Sequence, residues 1–297
     1  DLLSLELDSG VRLNYLYRSN IAKEILLRAR ETPTHAWEPM TTKLVKHALE
    51  FRPGNVLIGG AYFGDHALIA ANDLYNSKEL FKVICVEPNA EQRQLLIENT
   101  SLNNLQEYIV YEDAVLWLEE GINFDLSNGD SLASVKPSNS STYYKSKTID
   151  SILAKNNFQS LSLLMLDIEG SEESALRGAS KLLAMPKDKA PTVIFEVHSK
   201  YVDWSQGLNN TSIIQYMAAH DYSMYALRDC QGNWELDLQK PELIPLDQVV
   251  LDGPPHGFNI VASKSSTFFT KESFNFVSDV SPKYLRHRSP LLHRPLH

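Results

Sequence analysis

Cysteine is nearly missing: the 297 residues hold only Cys85 and Cys230. That excludes a disulfide-stapled scaffold. Cys85, inside the apolar run KVICV, reads as a buried thiol in a reducing, cytoplasmic setting. Basic charge is also short, with 28 Lys and Arg against 37 Asp and Glu and a formal net charge of −9. A duplex-binding protein normally needs a basic face, so nucleic acid is not an expected partner. No apolar run approaches the roughly 18 residues of a membrane span, and no charged-then-apolar leader opens the chain, so neither a membrane segment nor a signal peptide is expected. An initiator methionine is absent too, and a start at Asp1 reads as a fragment or a processed form. What remains is 43% hydrophobic residues, enough to bury the core of one large domain with additions.

The chain is organised around NVLIGGAYFG, residues 55–64. Val56 to Ile58 run into Gly59-Gly60, and Gly64 then opens the helical pattern DHALIAANDL, which gives strand, tight glycine turn and helix. Such a turn lets backbone approach a ligand and aims the N–H groups of a helix start into the gap. A strict GxGxxG is lacking, so a structural turn and a cofactor cradle are both open readings. Before it, residues 1–54 form a hairpin around Asp8-Ser9-Gly10, a helix over 21–30 and an amphipathic helix carrying Met40, Leu44, Val45 and Leu49, together an N-terminal cover. After it, strands at 82–88, 107–114, within 162–170, 192–198, 222–229 and 257–264 alternate with helical patterns. That rhythm predicts an α/β fold: a Rossmann-like, seven-stranded, mostly parallel sheet over 55–264 with helices on both faces. Polar residues 117–147 read as an insertion. Residues 265–297 form a locally basic tail, read as a linker or packing arm, with a tether to a further domain as the alternative.

Ligands of open α/β sheets bind beyond the carboxyl ends of the strands. Acids stand there: Glu87, Glu112, Asp113, Asp167, Glu169 and Glu196, with His198 beside the last. Glu87, some twenty residues past the glycine turn, is placed to accept ribose hydroxyls, against the plainer reading of a helix-start acid before Pro88. Asp113 suits an adenine amino group or is a solvated loop acid. Asp167 and Glu169 are two apart and in extended backbone point the same way. His198 has no histidine partner at HxH or HxxxH spacing beside these acids, so no metal is expected.

The segments GGAYFG, VEPNAEQRQLLIENTSLNN, Asp113-Ala114, TIDSIL, LDIEGSEESALRGASKLL and PTVIFEVH, between about Glu38 and Ser199, together resemble the FkbM family of S-adenosylmethionine-dependent methyltransferases. The resemblance implies a class I methyltransferase-like fold and S-adenosyl-L-methionine as cofactor, with S-adenosyl-L-homocysteine as product. It implies cofactor contacts from Glu38, Gly60, Ala61, Gly64, Glu87, Pro88, Asp113, Ala114 and Asp167. It implies O-methyl transfer to a hydroxyl or carboxylate of a small natural product or short peptide, the chain faintly resembling the methyltransferase half of enzymes that methyl-esterify a peptide C-terminus. For a hydroxyl acceptor a base is needed, and His198 is the first candidate, with Asp167 and Glu169 next. Two positions depart from the family pattern: Ile58 stands where an acid is usual and Tyr62 where an asparagine is usual, so Glu38, Asp65 or Asp167 would have to meet the methionine amine. Competing readings are an NAD-binding oxidoreductase and a non-catalytic S-adenosylmethionine-binding module.

Overall fold

The computed structural model of the chain describes residues 1–19, 21–27, 30–126, 135–137, 144–230, 232, 234, 236, 238–251 and 257–284. Its main sheet is built from β1 (Val56–Gly59), β2 (Val83–Val86), β3 (Ile109–Glu112), β4 (Leu163–Leu166), β5 (Thr192–His198), β6 (Ser223–Arg228), β7 (Glu242–Pro245), β8 (Gly257–Ser263) and β9 (Asn275–Phe276). The spatial order is β3-β2-β1-β4-β5-β8-β6-β7-β9. β1 to β5 pair in parallel, with Val56 opposite both Val83 and Leu163, whereas β8 runs antiparallel between β5 and β6. The sheet therefore has nine strands, not the expected seven. The two extra strands lie past β6. β7, ELIP, follows Pro241 and ends in Pro245, and β9 has only two residues; neither carries enough period-two pattern to stand out from loop sequence.

Alternation along the strands fills two separate cores. Val56, Ile58, Val83, Cys85, Leu163 and Met165 face one side, where α1 (Pro39–Phe51), α2 (Asp65–Asn76) and α3 (Ala90–Leu102) cover them with Met40, Leu44, Leu68 and Leu96. Leu57, Ile84, Leu164, Leu166, Val193 and Phe195 face the other, under α4 (Ile149–Lys155), α5 (Glu172–Arg177), α6 (Ser180–Leu183) and α7 (Ser212–Ala218). The one helix expected over SEESALRGASKLLAM breaks into α5 and α6 at Gly178, where a Cβ would lie 2.2 Å from the Trp117 carbonyl oxygen. That strand-side backbone needs a glycine to pass.

The expected N-terminal hairpin pairs Leu2–Glu6 with Arg12–Leu16. It is clamped to α3 by two asparagines: Asn99 accepts from the Asn14 N–H at 2.8 Å and donates to the carbonyls of Asn14 and Phe63, and Asn103 accepts from the Arg12 N–H at 2.7 Å. The helix expected over 21–30 is formed at Ala22–Leu26. In the 117–147 insertion, Asn123–Leu126 pairs with 135–137 and with Tyr144–Lys147. Past β8 the chain packs rather than trails. Phe268 and Phe274 are buried and stack with His47 of α1 at ring separations of 4.9 Å, and Lys283 is 3% exposed. Arg286, Arg288, Arg294 and the three last histidines lie outside the described residues.

Candidate functional site

The carboxyl ends of β1, β2 and β4 open onto a cleft of about 1050 Å³ including its mouth. Its walls include Gly60, Tyr62 and Asp65 after β1, Glu87 to Asn89 after β2, Ala114 to Leu116 after β3, and Asp167 to Glu169 after β4; Ile21 and Trp37 close it from the N-terminal cover. Four of the lining residues are acids, Asp65, Glu87, Asp167 and Glu169, and among the described residues lining it there is no lysine or arginine.

The N–H groups inside the glycine turn are taken up by protein. The N–H groups of Gly60 and Ala61 both donate to the Val86 carbonyl, at 3.0 and 3.2 Å, and that of Tyr62 donates to Glu87 Oε2 at 3.0 Å. They hold the end of β2. Gly60 itself, at φ +77, is required by close approach, because a Cβ would fall 1.8 Å from the Asp167 carbonyl oxygen. Tyr62 follows at φ 47 and lies edge-on to Phe63.

Glu87 is buried with 8% exposure. Its oxygens accept the N–H groups of Tyr62 and Asn89, yet burial outweighs these bonds and lifts the carboxyl to about 7. Asn89 caps α3, accepting the N–H groups of Glu91 and Gln92. Burial also raises Asp65, with His66 pulling the other way.

Asp167 and Glu169 lie where β4 turns into α5. Glu169 takes φ 53, and Glu172 folds back to accept the N–H groups of Ile168 (2.8 Å) and Gly170 (3.0 Å), which holds the turn; burial lifts Glu172 to about 7. Asp167 reaches solvent through the cleft yet is enclosed by protein on its other sides. Desolvation, followed by Glu38, Glu169, Glu172 and Asp65, raises it well above the usual carboxylate range. Burial raises Glu169, against Lys200 and a Tyr201 hydroxyl bond. Glu196 of β5 is pushed up by burial and by Asp167. Asp167, Glu169 and Glu196 each bring one oxygen within 4.8 Å of the other two, close enough to share one small cation.

Of the residues expected from the sequence, Gly60, Glu87, Pro88, Ala114, Asp167 and Glu169 line the cleft together. Ala61 and Gly64 are buried in the turn behind it; Gly64, at φ +99, precedes the first residue of α2. Asp113 is exposed and not among the lining residues. Glu112 is held by Lys147 and Lys155 at 2.7 and 2.6 Å, which makes it structural. Glu38 stands behind the lining. Its carboxylate accepts from Lys283 Nζ (3.2 Å), Asn259 Nδ2 (2.8 Å) and Thr41 Oγ1 (3.2 Å). His198 ends β5 outside the lining, with Nδ1 accepting the Lys200 N–H at 3.0 Å. Residues that sequence reasoning missed are His66 and Gln92 in the lining, and Asp229, Asn259 and Lys283 behind it. Asp229 and Lys283 have no local signature, since the groups they bind at the start of α1 stand 188 to 245 residues away. Gln92 is one of the buried residues of α3, together with Leu95 and Leu96.

The donor set fits an adenosine-bearing cation. Apolar Pro88, Ala114, Val115, Leu116 and Ile168 line the cleft beside the acids Glu87, Asp65 and Asp167, a lining whose chemistry is compatible with a purine, ribose hydroxyls and positive charge.

A family model described as Methyltransferase FkbM domain matches residues 59–224. No curated protein matches the sequence. Among solved structures, an O-methyltransferase from Bacillus cereus in complex with SAH is 14% identical, with a TM-score of 0.44 over 78% of this chain and 84% of that one. A SAM-dependent methyltransferase from Agrobacterium tumefaciens is 14% identical, with a TM-score of 0.44 over 89% of this chain and 71% of that one. A tRNA (uracil-54, C5)-methyltransferase from Pyrococcus abyssi is 11% identical, with a TM-score of 0.41 over 88% of this chain and 44% of that one.

Proposed function

The chain belongs to the FkbM methyltransferase family, which uses S-adenosyl-L-methionine, and from that premise we propose that it is an O-methyltransferase acting on a hydroxyl of a small natural product. The observation that carries the reading is the charge of the cleft: four lining acids and, among the described residues, no lining lysine or arginine. That arrangement favours a donor bearing a sulfonium and an ammonium. It opposes the diphosphate of a dinucleotide, which would meet these acids while the glycine-turn N–H groups at Gly60, Ala61 and Tyr62 are already committed.

When bound, the cofactor supplies an activated methyl group to the acceptor. The protein's part is to align the acceptor and exclude water, which is where most of the rate enhancement of such a displacement arises. Glu87 holds the ribose end, and Asp65 with Asp167 meets the cationic end in place of the acid replaced by Ile58. Asp167 and Glu169 at the mouth repel an anionic acceptor, so a neutral hydroxyl is favoured over the carboxylate of a peptide C-terminus. Glu169, raised above its ordinary range and not assigned to the cationic end, takes the hydroxyl proton better than an unperturbed acid would. His198 is the weaker candidate for that proton, because the Lys200 N–H already engages its Nδ1 and the ring stands outside the lining.

The test is calorimetric titration with S-adenosylhomocysteine and with NAD, followed by turnover on acceptors matched except for hydroxyl against carboxylate. Binding of S-adenosylhomocysteine alone, with methylation of the hydroxyl partner, is expected. Glu169→Gln and Asp167→Asn should slow turnover by about a hundredfold or more, and His198→Ala by less. Preferential methylation of the carboxylate would remove the hydroxyl assignment, and binding without turnover would leave a cofactor-binding module.

A further inference from the structure

Lys283 lies far outside the family-matched span, yet it is buried and reaches Glu38, the chain neighbour of the cleft residue Trp37. It arrives on a terminal strap. Val280 bridges to Val249 and Lys283 to Asp229, and the N–H groups of Tyr284 and Asp229 donate to the carbonyls of Asp229 and Pro282 at 2.8 and 3.0 Å. The strap therefore seats Lys283 by backbone bonds on both sides. Its Nζ then donates to Glu38 Oε1 at 3.2 Å.

Glu38 is an unusual residue to fix this way. It enters α1 at φ 45, a left-handed conformation that a side chain other than glycine adopts at a cost. It does not cap its own helix; its carboxylate is turned back to Lys283, Asn259 and Thr41. The residue before it is Trp37, which lines the cleft and whose carbonyl accepts from Thr42 Oγ1 at 3.3 Å. A backbone turned sharply at Glu38 decides where Trp37 stands.

We propose that Lys283 is a positioning residue of the methyl-transfer site: by pairing with Glu38 it holds the strained entrance of α1 and so sets Trp37 as the wall of the cofactor cleft. The site then requires two segments outside the family-matched span, 37–38 and 280–284, brought together across 245 residues of sequence. This rests on the reading of the cleft as the S-adenosylmethionine site. A purely structural role would stabilise the fold without touching ligand affinity; a positioning role couples Lys283 to Trp37 in binding.

The experiment is calorimetry with S-adenosylhomocysteine on the full chain, comparing wild type, Lys283→Met, Lys283→Arg, Glu38→Gln, Trp37→Ala and the pair Trp37→Ala/Lys283→Met, each at a temperature where circular dichroism shows it folded. Lys283→Met is expected to weaken binding by about tenfold or more, Lys283→Arg to restore most of it, and the double variant to be no weaker than Trp37→Ala alone. Should Lys283→Met not fold, Glu38→Gln, which keeps the shape of the side chain but not its charge, is expected to give the same coupled loss with Trp37→Ala. Unchanged affinity in a folded Lys283→Met or Glu38→Gln, or losses that simply add to that of Trp37→Ala, overturns the proposal. Failure of the wild type itself to bind S-adenosylhomocysteine would instead strike the functional reading on which it rests.

Discussion

At the scale of single residues, Glu87 illustrates how a buried acid is held at the rim of the cleft. It was legible from the sequence as the acid closing the second strand. Its partners were not, because the Tyr62 N–H reaches it only once the glycine turn has folded over the strand end. Replacing Glu87 by Ala should weaken S-adenosylhomocysteine binding by about ten- to a hundredfold, as loss of a charge-assisted hydrogen bond implies, and calorimetry reads this directly. The pH dependence has a definite sign. Glu87 holds its proton more tightly in the folded protein, up to about 7 against the ordinary 4.5. Its contribution to the stability of the ligand-free protein is thus fully present below the ordinary value and is lost as pH rises through about 7. Glu172 behaves alike. Urea midpoints of the wild type should fall from pH 5 to pH 7.5, and Glu87→Gln should flatten that slope; an unchanged slope would count against a buried, proton-holding Glu87. Asp113 shows the reverse limit of sequence reasoning. A strand-end position alone says nothing of exposure, and this acid is exposed beside its buried neighbour Ala114.

At the scale of elements, the start of α1 is completed from elsewhere. Asp229, just past β6, accepts the N–H groups of Met40 (3.1 Å) and Thr41 (2.7 Å) and the Thr41 hydroxyl, a capping role that a residue at the helix start would ordinarily fill. Burial and Glu38 raise it to about 6, while Lys283 and these N–H bonds favour its charge. Asp229→Ala should cost about 2 to 4 kcal/mol in urea unfolding, since it strands helix N–H groups and a neighbouring buried lysine at once. A loss within the noise of a surface substitution would refute the capping role. The helix itself was readable from Met40, Leu44, Val45 and Leu49, but the identity of its cap was not, because capping by a remote side chain leaves no mark at the helix boundary.

For the molecule as a whole, the alternation of strands and helices was legible from Asn55 to β8, and with it the layered α/β architecture and the rim on which the cleft lies. For the terminal region the composition left a linker and a packing arm both open, because a basic, proline-containing stretch shows no period; Phe268, Phe274 and β9 complete one core and extend the sheet. Truncation before Phe268 should abolish cooperative thermal unfolding, because it removes two fully buried aromatic rings worth about 3 to 5 kcal/mol each together with the buried lysine. A shortened chain that melts sharply near the wild-type temperature would refute this.

The bond from Lys283 to Glu38 also sets an order of manufacture. Translation at roughly 5 to 20 residues per second delivers the lysine about 12 to 50 s after the glutamate emerges, given their separation of 245 residues. Throughout that interval a nascent chain carries an unfinished ligand wall and an unmatched acid. On the proposed role of Lys283, competence for ligand binding arises only after this late segment has been made.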